Sequence, residues 1–466
     1  MNTLEHIQID TATQQLVHSE VAHRYGIIPK EQTKSALHCY AIDGDNKQIN
    51  NELAMLFGAP VILEQVPEGL IKQALSKYYR LSKSGQNKSD FVMGNDFLEN
   101  LIHDAKATDS SDIHFEIYKK QARIRFRMDG RLVERYAVKE EQYAELINKI
   151  KIKARLNITE RRLPQDGRIQ YDAFDIRVSV LPTLYGEKVV MRLLGKDTSH
   201  LSMDSLGMQA AEQLHYLEAA KASKGIILIS GPTGSGKTTT LYATLKLLNK
   251  IDRNIVTIED PIEYTLDGIN QVQLKEDIGL TFTAALKSFL RQDPDVIMLG
   301  EIRDEKTAQM AIRASLTGHL VLSTIHTNSA VGTLSRLIDM GIPPFLLSET
   351  LKISVAQRLV RKLCPDCKEQ KPLEKESRGH GLLSQVESHF VPVGCDSCYY
   401  TGYKGRIAVY ECIPITAEVK KLLKQNDIAG VAKHPDSSYE PISHKALELI
   451  RSGKTSVAEV YALLID

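Results

Sequence analysis

The chain has 466 residues, 59 Lys+Arg against 58 Asp+Glu, a formal net charge of +1, and 42% hydrophobic and 25% charged residues. At roughly 150 residues per domain that is length for about three globular domains, with no need of staples to hold a core. Near-neutral charge removes a whole-chain electrostatic case for nucleic acid or an anionic surface. No run approaches the ~18 apolar residues of a membrane span, and the acidic, polar start Met1–Asp10 is no secretory signal. The expectation is a cytoplasmic protein that reaches a membrane only through partners, without direct insertion.

Residues 1–90 read as a small helical or mixed module. Val21-Ala-His-Arg-Tyr-Gly-Ile-Ile-Pro29 ends at a Gly/Pro stop, and a polar linker follows over Leu81–Asp90. A second module, 91–200, starts with a helical pattern over Phe91–Ala107. Strand patterns follow at Ile113–Ile117, Ala122–Met128 and Phe174–Val180, the second alternating strictly at period two. Asp129-Gly130 is a hairpin turn signal. This module is predicted to be α+β, with a half-exposed sheet that carries Arg on one face.

From 201 onward short apolar strands alternate with helices. Strands are expected at Ile226–Ile229, Ile255–Ile258, Val296–Leu299 and Leu320–Ser323. Helices are expected from Lys237, near Thr283–Arg291 and near Lys306–Leu316. Such alternation predicts an α/β fold whose sheet is covered on both faces.

Gly231-Pro-Thr-Gly-Ser-Gly236-Lys237-Thr238 fits G-x-x-x-x-G-K-[ST], after an apolar strand and opening a helix. Composition alone would yield the pattern in roughly one such chain per hundred, and this context lowers that further. The candidate nucleotide-binding residues are Gly231, Pro232, Thr233, Gly234, Ser235, Gly236, Lys237, Thr238 and Thr239. Their backbone N–H groups and the helix N-terminus suit a phosphate. Lys237 can reach the β and γ phosphates, and the Thr238 hydroxyl can ligate Mg²⁺.

Nucleotide hydrolysis needs a carboxylate to orient water and help hold the metal. Two strand ends supply candidates: Glu301, after Val296–Leu299 and Gly300, and Glu259-Asp260-Pro-Ile-Glu263, after Ile255–Ile258. Each alone could be a solvated strand end or a helix cap. His326, past a third strand end, could hydrogen-bond a γ-phosphate or be a satisfied structural histidine.

Cys364-Pro-Asp-Cys367 and Cys395-Asp-Ser-Cys398 are two C-x-x-C knuckles separated by 27 residues. Four convergent thiolates favour a structural Zn²⁺ over free thiols or a redox pair. Cys39 and Cys412 read as core thiols.

Together these blocks resemble the type II secretion and type IV pilus assembly ATPases. Ser110–Glu116, Arg123–Gly130, Arg162–Arg168 and Leu181–Arg192 are similar to the family's second N-terminal domain, PAS-like in relatives. Gly231–Thr238, Glu259–Glu263, Leu290–Asp304 and Thr317–His326 are similar to its Walker A, Asp box, Walker B and His box. Ala356–Cys364 leads into its zinc subdomain, about 360–406.

The resemblance implies a RecA-like P-loop ATPase domain over 201–466, preceded by the α+β domain and a docking module. It also implies a homohexamer that uses ATP, Mg²⁺ and Zn²⁺. Glu301, Glu263, Lys237 and His326 would be catalytic, with Arg168 and Arg177 from the N-terminal domain as charge-stabilising fingers. Arg291, Arg303 and Arg406 match further family arginines, and Lys287 replaces one. The implied partners are an inner-membrane platform protein and a membrane-anchored docking protein, placing the motor on the cytoplasmic side of the inner membrane. A retraction motor, a nucleotide-gated scaffold without useful turnover and a DNA translocase are the alternatives. The tetra-Cys insert argues against the first, the intact acids against the second. Lack of an aromatic-basic platform argues against the third and against nucleic acid as a partner.

Overall fold

The computed structural model describes residues 7–33, 35–44, 47–79, 96–119, 121–195, 201–373, 381–434 and 439–465. The predicted linker Leu81–Asp90 and the first residues of the helical pattern at Phe91 lie outside them. The chain forms two units: residues 1–194 with 364–368 and 392–404, and residues 195–363, 369–391 and 405–466. Among the described residues no helix is long and apolar enough to cross a membrane.

The first unit begins with helices α1 (Thr11–Gln14) and α2 (Ser19–Tyr25), then β1 (Ile27–Gln32), β2 (Leu37–Ala41), α3 (Lys47–Phe57), β3 (Val61–Gln65) and α4 (Glu68–Tyr78). The strands make one sheet in the order β1-β2-β3. Gly26 ends α2 with φ 60°, a left-handed cap that glycine adopts without penalty. Pro29, expected as part of the Gly/Pro stop that ends the Val21–Pro29 stretch, lies inside β1. The register shifts between Pro29 and Glu31 there, which tolerates its missing N–H.

The rest of that unit follows: α5 (Phe97–Ala107), β4 (Asp112–Ile117), β5 (Ala122–Met128), β6 (Arg131–Val138), α6 (Glu140–Lys153), β7 (Gln165–Gln170), β8 (Phe174–Thr183) and β9 (Gly186–Gly195). Its sheet order is β6-β5-β4-β9-β8-β7. The alternation in β5 works as predicted: Ala122, Ile124, Phe126 and Met128 are buried, while Arg123, Arg125 and Arg127 face the other side. Asp129 (φ 46°) and Gly130 (φ 85°) form the tight turn into β6. Leu98, Leu101, Tyr143 and Ile147 of α5 and α6 pack on the apolar face.

In the second unit α7 (Ala210–Ala220) precedes β10 (Gly225–Ser230), α8 (Lys237–Leu248), β11 (Ile255–Glu259), β12 (Asn270–Gln273), α9 (Phe282–Phe289), β13 (Val296–Leu299), α10 (Glu305–Leu316), β14 (Leu320–Ile325), α11 (Ala330–Asp339), α12 (Pro344–Thr350) and β15 (Leu351–Leu363). The strands β16 (Glu369–Pro372), β17 (Ser388–Val391) and β18 (Tyr403–Pro414) and short C-terminal helices complete the chain.

Seven strands form one sheet in the order β12-β11-β13-β14-β10-β15-β18. The ladders of β10 with β14 and β15, and of β11 with β12 and β13, are parallel. Both faces are covered. Ile226 and Leu228 join a core with α9, α10 and α11, and Ile227 and Ile229 join a second core with Tyr216, Leu241 and Leu245. That two-sided burial explains the unbroken apolar runs. It also brings the carboxyl ends of β11, β13, β14, β10 and β15 to one edge of the sheet.

Candidate active site

The loop after β10 turns on three glycines of positive φ: Gly231 (146°), Gly234 (78°) and Gly236 (88°). A Cβ at Gly231 would lie 2.4 Å from Gln357 O and 2.7 Å from Ser235 Oγ. The loop is therefore pressed against β15 with no room for a side chain. Gly236 caps α8, so Lys237 and Thr238 open the helix at its positive end. Lys237 Nζ donates to Gly231 O at 2.8 Å and Pro232 O at 3.0 Å. Burial lowers the Lys237 pKa, while the Glu301 carboxylate works the other way. Ser235 is 3% exposed and its Oγ has no hydrogen-bond partner among the described residues. An orphaned hydroxyl, a buried ammonium and a helix N-terminus in one loop fit a phosphate chain.

Glu301 follows β13 after Gly300. Gly300 N donates to Ile258 O at 2.8 Å, Thr324 Oγ1 to Gly300 O at 2.8 Å, and Ile302 N to Thr324 O at 2.8 Å. The turn carrying the acid is thus sewn to both neighbouring strands. Glu301 Oε2 lies 3.0 Å from His326 Nε2 across the β13–β14 ends, and its other oxygen meets Arg303. Arg303 also approaches Asp260 at 3.7 Å. The structure brings Lys237, Glu301 and His326 to one sheet edge.

The acids at the end of β11 and just beyond it divide in role. Glu259 is 3% exposed and accepts hydrogen bonds from Tyr242 Oη, Thr257 Oγ1 (2.6 Å) and Gln271 Nε2 (3.1 Å). Tyr242 Oη in turn accepts from the backbone N–H groups of Glu263 (3.3 Å) and Tyr264 (3.4 Å). Glu259 therefore anchors the loop, and Glu263 is the acid that the loop carries.

Arg168 of β7 and Arg177 of β8 belong to the first unit. They stand opposite each other in register, and Arg168 pairs with Asp175. Arg291 donates to Lys287 O at 3.2 Å within its own helical turn.

Gln357 was not anticipated from sequence. Its Oε1 accepts from Thr240 Oγ1 at 2.9 Å, and a Cβ at Gly236 would lie 2.8 Å from its Nε2. Buried at 1% exposure, it backs the phosphate loop. It is one of several polar residues on β15, and nothing in the sequence singles it out.

The four cysteines Cys364, Cys367, Cys395 and Cys398 place their sulfurs within 4.8 Å of one another. The Cys364–Cys395, Cys367–Cys398 and Cys395–Cys398 sulfur separations are each 3.8 Å. A tetrahedron with bonds of about 2.3 Å has sulfur edges of about 3.8 Å. Backbone N–H groups of Gly394 and Gly402 point at Cys367 and Cys398 sulfurs at 3.3 Å each, as suits thiolate charge. Cys39 and Cys412 are buried, and burial pushes each thiol up to about 12.

The profile of the type II/IV secretion system proteins matches residues 87–462, and that of the MshEN domain matches 3–85. The type IV pilus assembly ATPase PilB of Myxococcus xanthus is 42% identical, over 96% of this chain and 85% of its own. The type II secretion system ATPase E of Vibrio cholerae is 46% identical over 77% of this chain and 73% of its own. Among solved structures, the Legionella pneumophila ATPase DotB superposes with TM-score 0.61 at 20% identity, covering 79% of this chain and 95% of that one. The pilus retraction motor PilT with bound ADP gives 0.56 at 25% identity, covering 79% and 97%. With a profile spanning most of its length and relatives above 40% identity, the chain belongs to the type II/IV secretion system protein family, whose members hydrolyse ATP with Mg²⁺.

Proposed function

We propose that this chain is the ATPase motor that drives assembly of a type IV pilus or of a type II secretion pseudopilus. The observation that carries the reading is the meeting of Lys237, Glu301 and His326 at the edge where the Gly231–Thr239 cradle opens. The cradle holds the phosphates. Lys237 leaves its carbonyl partners for the β and γ oxygens. Glu301 orients the attacking water and takes up its proton, and His326, hydrogen-bonded to Glu301, senses the change at the terminal phosphate. Glu263 approaches from the adjoining loop as the second acid. Thr238 and the acids would hold Mg²⁺, which supplies charge neutralisation on the phosphate oxygens.

In this reading Arg168 and Arg177 supply fingers to the transition state, and six copies form a ring. The ring acts through an inner-membrane platform protein and a membrane-anchored docking protein, on the cytoplasmic side. Cys364, Cys367, Cys395 and Cys398 hold a structural Zn²⁺ with no open position. Assembly is favoured over retraction because identity to assembly and secretion relatives reaches 42–46%, against 25% for the retraction motor.

The test is Mg²⁺-dependent ATP hydrolysis by the purified chain. Glu301→Gln should retain ATP while turnover falls about 10²–10³-fold, and Lys237→Ala should lose both. Full turnover in Glu301→Gln would remove Glu301 as the base.

A further inference from the structure

Tyr242 lies on α8, five residues past Lys237 and about 7.5 Å along the helix axis from it. It is outside the Gly231–Thr239 cradle and fully buried. Its hydroxyl donates to the Glu259 carboxylate at the end of β11. The same oxygen accepts the backbone N–H groups of Glu263 at 3.3 Å and Tyr264 at 3.4 Å, and Gln271 Nε2 at 3.4 Å. Gln271 of β12 also donates to Glu259 and, at 2.9 Å, to Tyr264 O. The rings of Tyr242 and Tyr264 meet edge to face with centroids 5.6 Å apart. One phenol thus joins the helix that opens on the phosphate cradle to the segment that carries Glu263.

The direction of these bonds matters. A hydroxyl that donates to a buried carboxylate has its lone pairs polarised towards further donors. Burial raises the Tyr242 pKa and the Glu259 charge adds to it, so the phenol keeps its proton and stays a donor. Glu259 also accepts from Thr257 Oγ1 and Gln271 Nε2, so its carboxylate keeps two donors when the phenol is removed. What the hydroxyl adds is a link from α8 to the Glu263 backbone.

We propose that Tyr242 is a positioning residue for the reaction, fixing the backbone at Glu263 to the helix that holds the phosphates, so that one rigid element aligns the second acid with the nucleotide. The proposal rests on reading Glu263 as an acid of the ATPase site. It makes Tyr242 matter for turnover and not for nucleotide affinity, because the contacts above run to the acid-bearing segment and not to the cradle.

Tyr242→Phe keeps the ring and removes the hydroxyl. Mg²⁺-dependent ATP turnover by the full chain should fall about tenfold or more. Affinity for a non-hydrolysable ATP analogue with Mg²⁺, measured by calorimetry, should change by less than about threefold. Glu263→Gln should lower turnover by itself, and adding Tyr242→Phe to it should lower turnover little further, since both changes act through one group. Amide exchange read by mass spectrometry should quicken over residues 260–266 of Tyr242→Phe and stay as in the wild type over 231–239. Unchanged turnover, a parallel loss of turnover and affinity, or losses that multiply in the double variant would overturn the proposal. Full turnover in Glu263→Gln would instead sink the reading of Glu263 as an acid of the site, and the positioning role with it. Should Tyr242→Phe fail to fold, exchange in the wild-type chain decides. Slowed exchange at the Glu263 and Tyr264 amides is expected, and exchange at the unprotected rate would refute the link.

Discussion

Gly231 is glycine for two independent reasons, and they give different tests. Its φ of 146° is one that L side chains rarely adopt, and its Cβ position is already filled by Gln357 O at 2.4 Å. Gly231→Ala must push the loop off β15, which would displace Ser235 and the carbonyl on which Lys237 rests. We expect nucleotide affinity to fall at least tenfold, about 1.4 kcal/mol, with the fold retained by circular dichroism. Unchanged affinity would show that the close approach is not needed for binding.

The need for glycine was legible from the motif, but its cause was not. Thr240 and Gln357 are 117 residues apart, and only the strand order brings them together. Glu259 and Glu263 could not be told apart either. One ends β11 and the other lies four residues on, and it is Tyr242, reaching from α8, that claims Glu259. The cysteines were legible because their spacing states their own chemistry. What periodicity reports is each element and its buried face. It does not report which distant side chain closes against a loop.

At the scale of elements, the polar face of the N-terminal sheet is a device of crossed strands. Glu116 of β4 is 5% exposed and pairs with Arg125 (2.7 Å) and Arg123 (3.1 Å) of β5, and with Lys188 (3.4 Å) of β9. Four residues earlier on the same strand and face, Asp112 joins Arg192 of β9 (2.9 Å) and Arg127 of β5 (3.2 Å). The face predicted from the alternating arginines is therefore not a bare basic strip. Each acid ties three strands together.

Burial opposes ionisation of Glu116, but hydrogen bonds from Arg125 and Arg123 outweigh it and hold the carboxyl at about 2. Its stabilising contribution is thus whole above the ordinary carboxylate range. It declines as pH falls below about 4.5 and is gone once the native group protonates near 2. Urea unfolding followed from pH 5 to pH 2.5 should show a shallower loss of stability in Glu116→Gln than in the wild type. Parallel pH profiles would mean that the ion pairs do not set the acid sensitivity of this sheet.

At the scale of the whole molecule two further properties follow from the proposed motor. The first is metal content. Four sulfurs at tetrahedral edge distances, with N–H groups aimed at two of them, should retain about one Zn²⁺ per chain. Removing it leaves four clustered thiolates without a counter-charge, so a chelator should lower the melting temperature. Folded, metal-free protein of unchanged stability would refute a structural zinc.

The second is cooperation between copies. Within the second unit the acid Glu301 is already engaged by Arg303 and His326, and Lys237 by carbonyls of its own loop. Catalysis requires that these contacts be exchanged for contacts to phosphate and water. In the isolated subunit the only force for that exchange is the nucleotide itself. If Arg168 and Arg177 act on a neighbour's nucleotide, each subunit's transition state is completed by another copy. Turnover per chain should then rise with protein concentration and level off once rings are full. Adding an excess of Arg177→Ala chains to a fixed amount of wild type should depress the wild-type rate, because mixed rings contain sites without their finger. A rate per chain that stays constant from dilute monomer to assembled ring, undisturbed by the variant, would confine catalysis to a single subunit and remove the trans-acting role of these arginines.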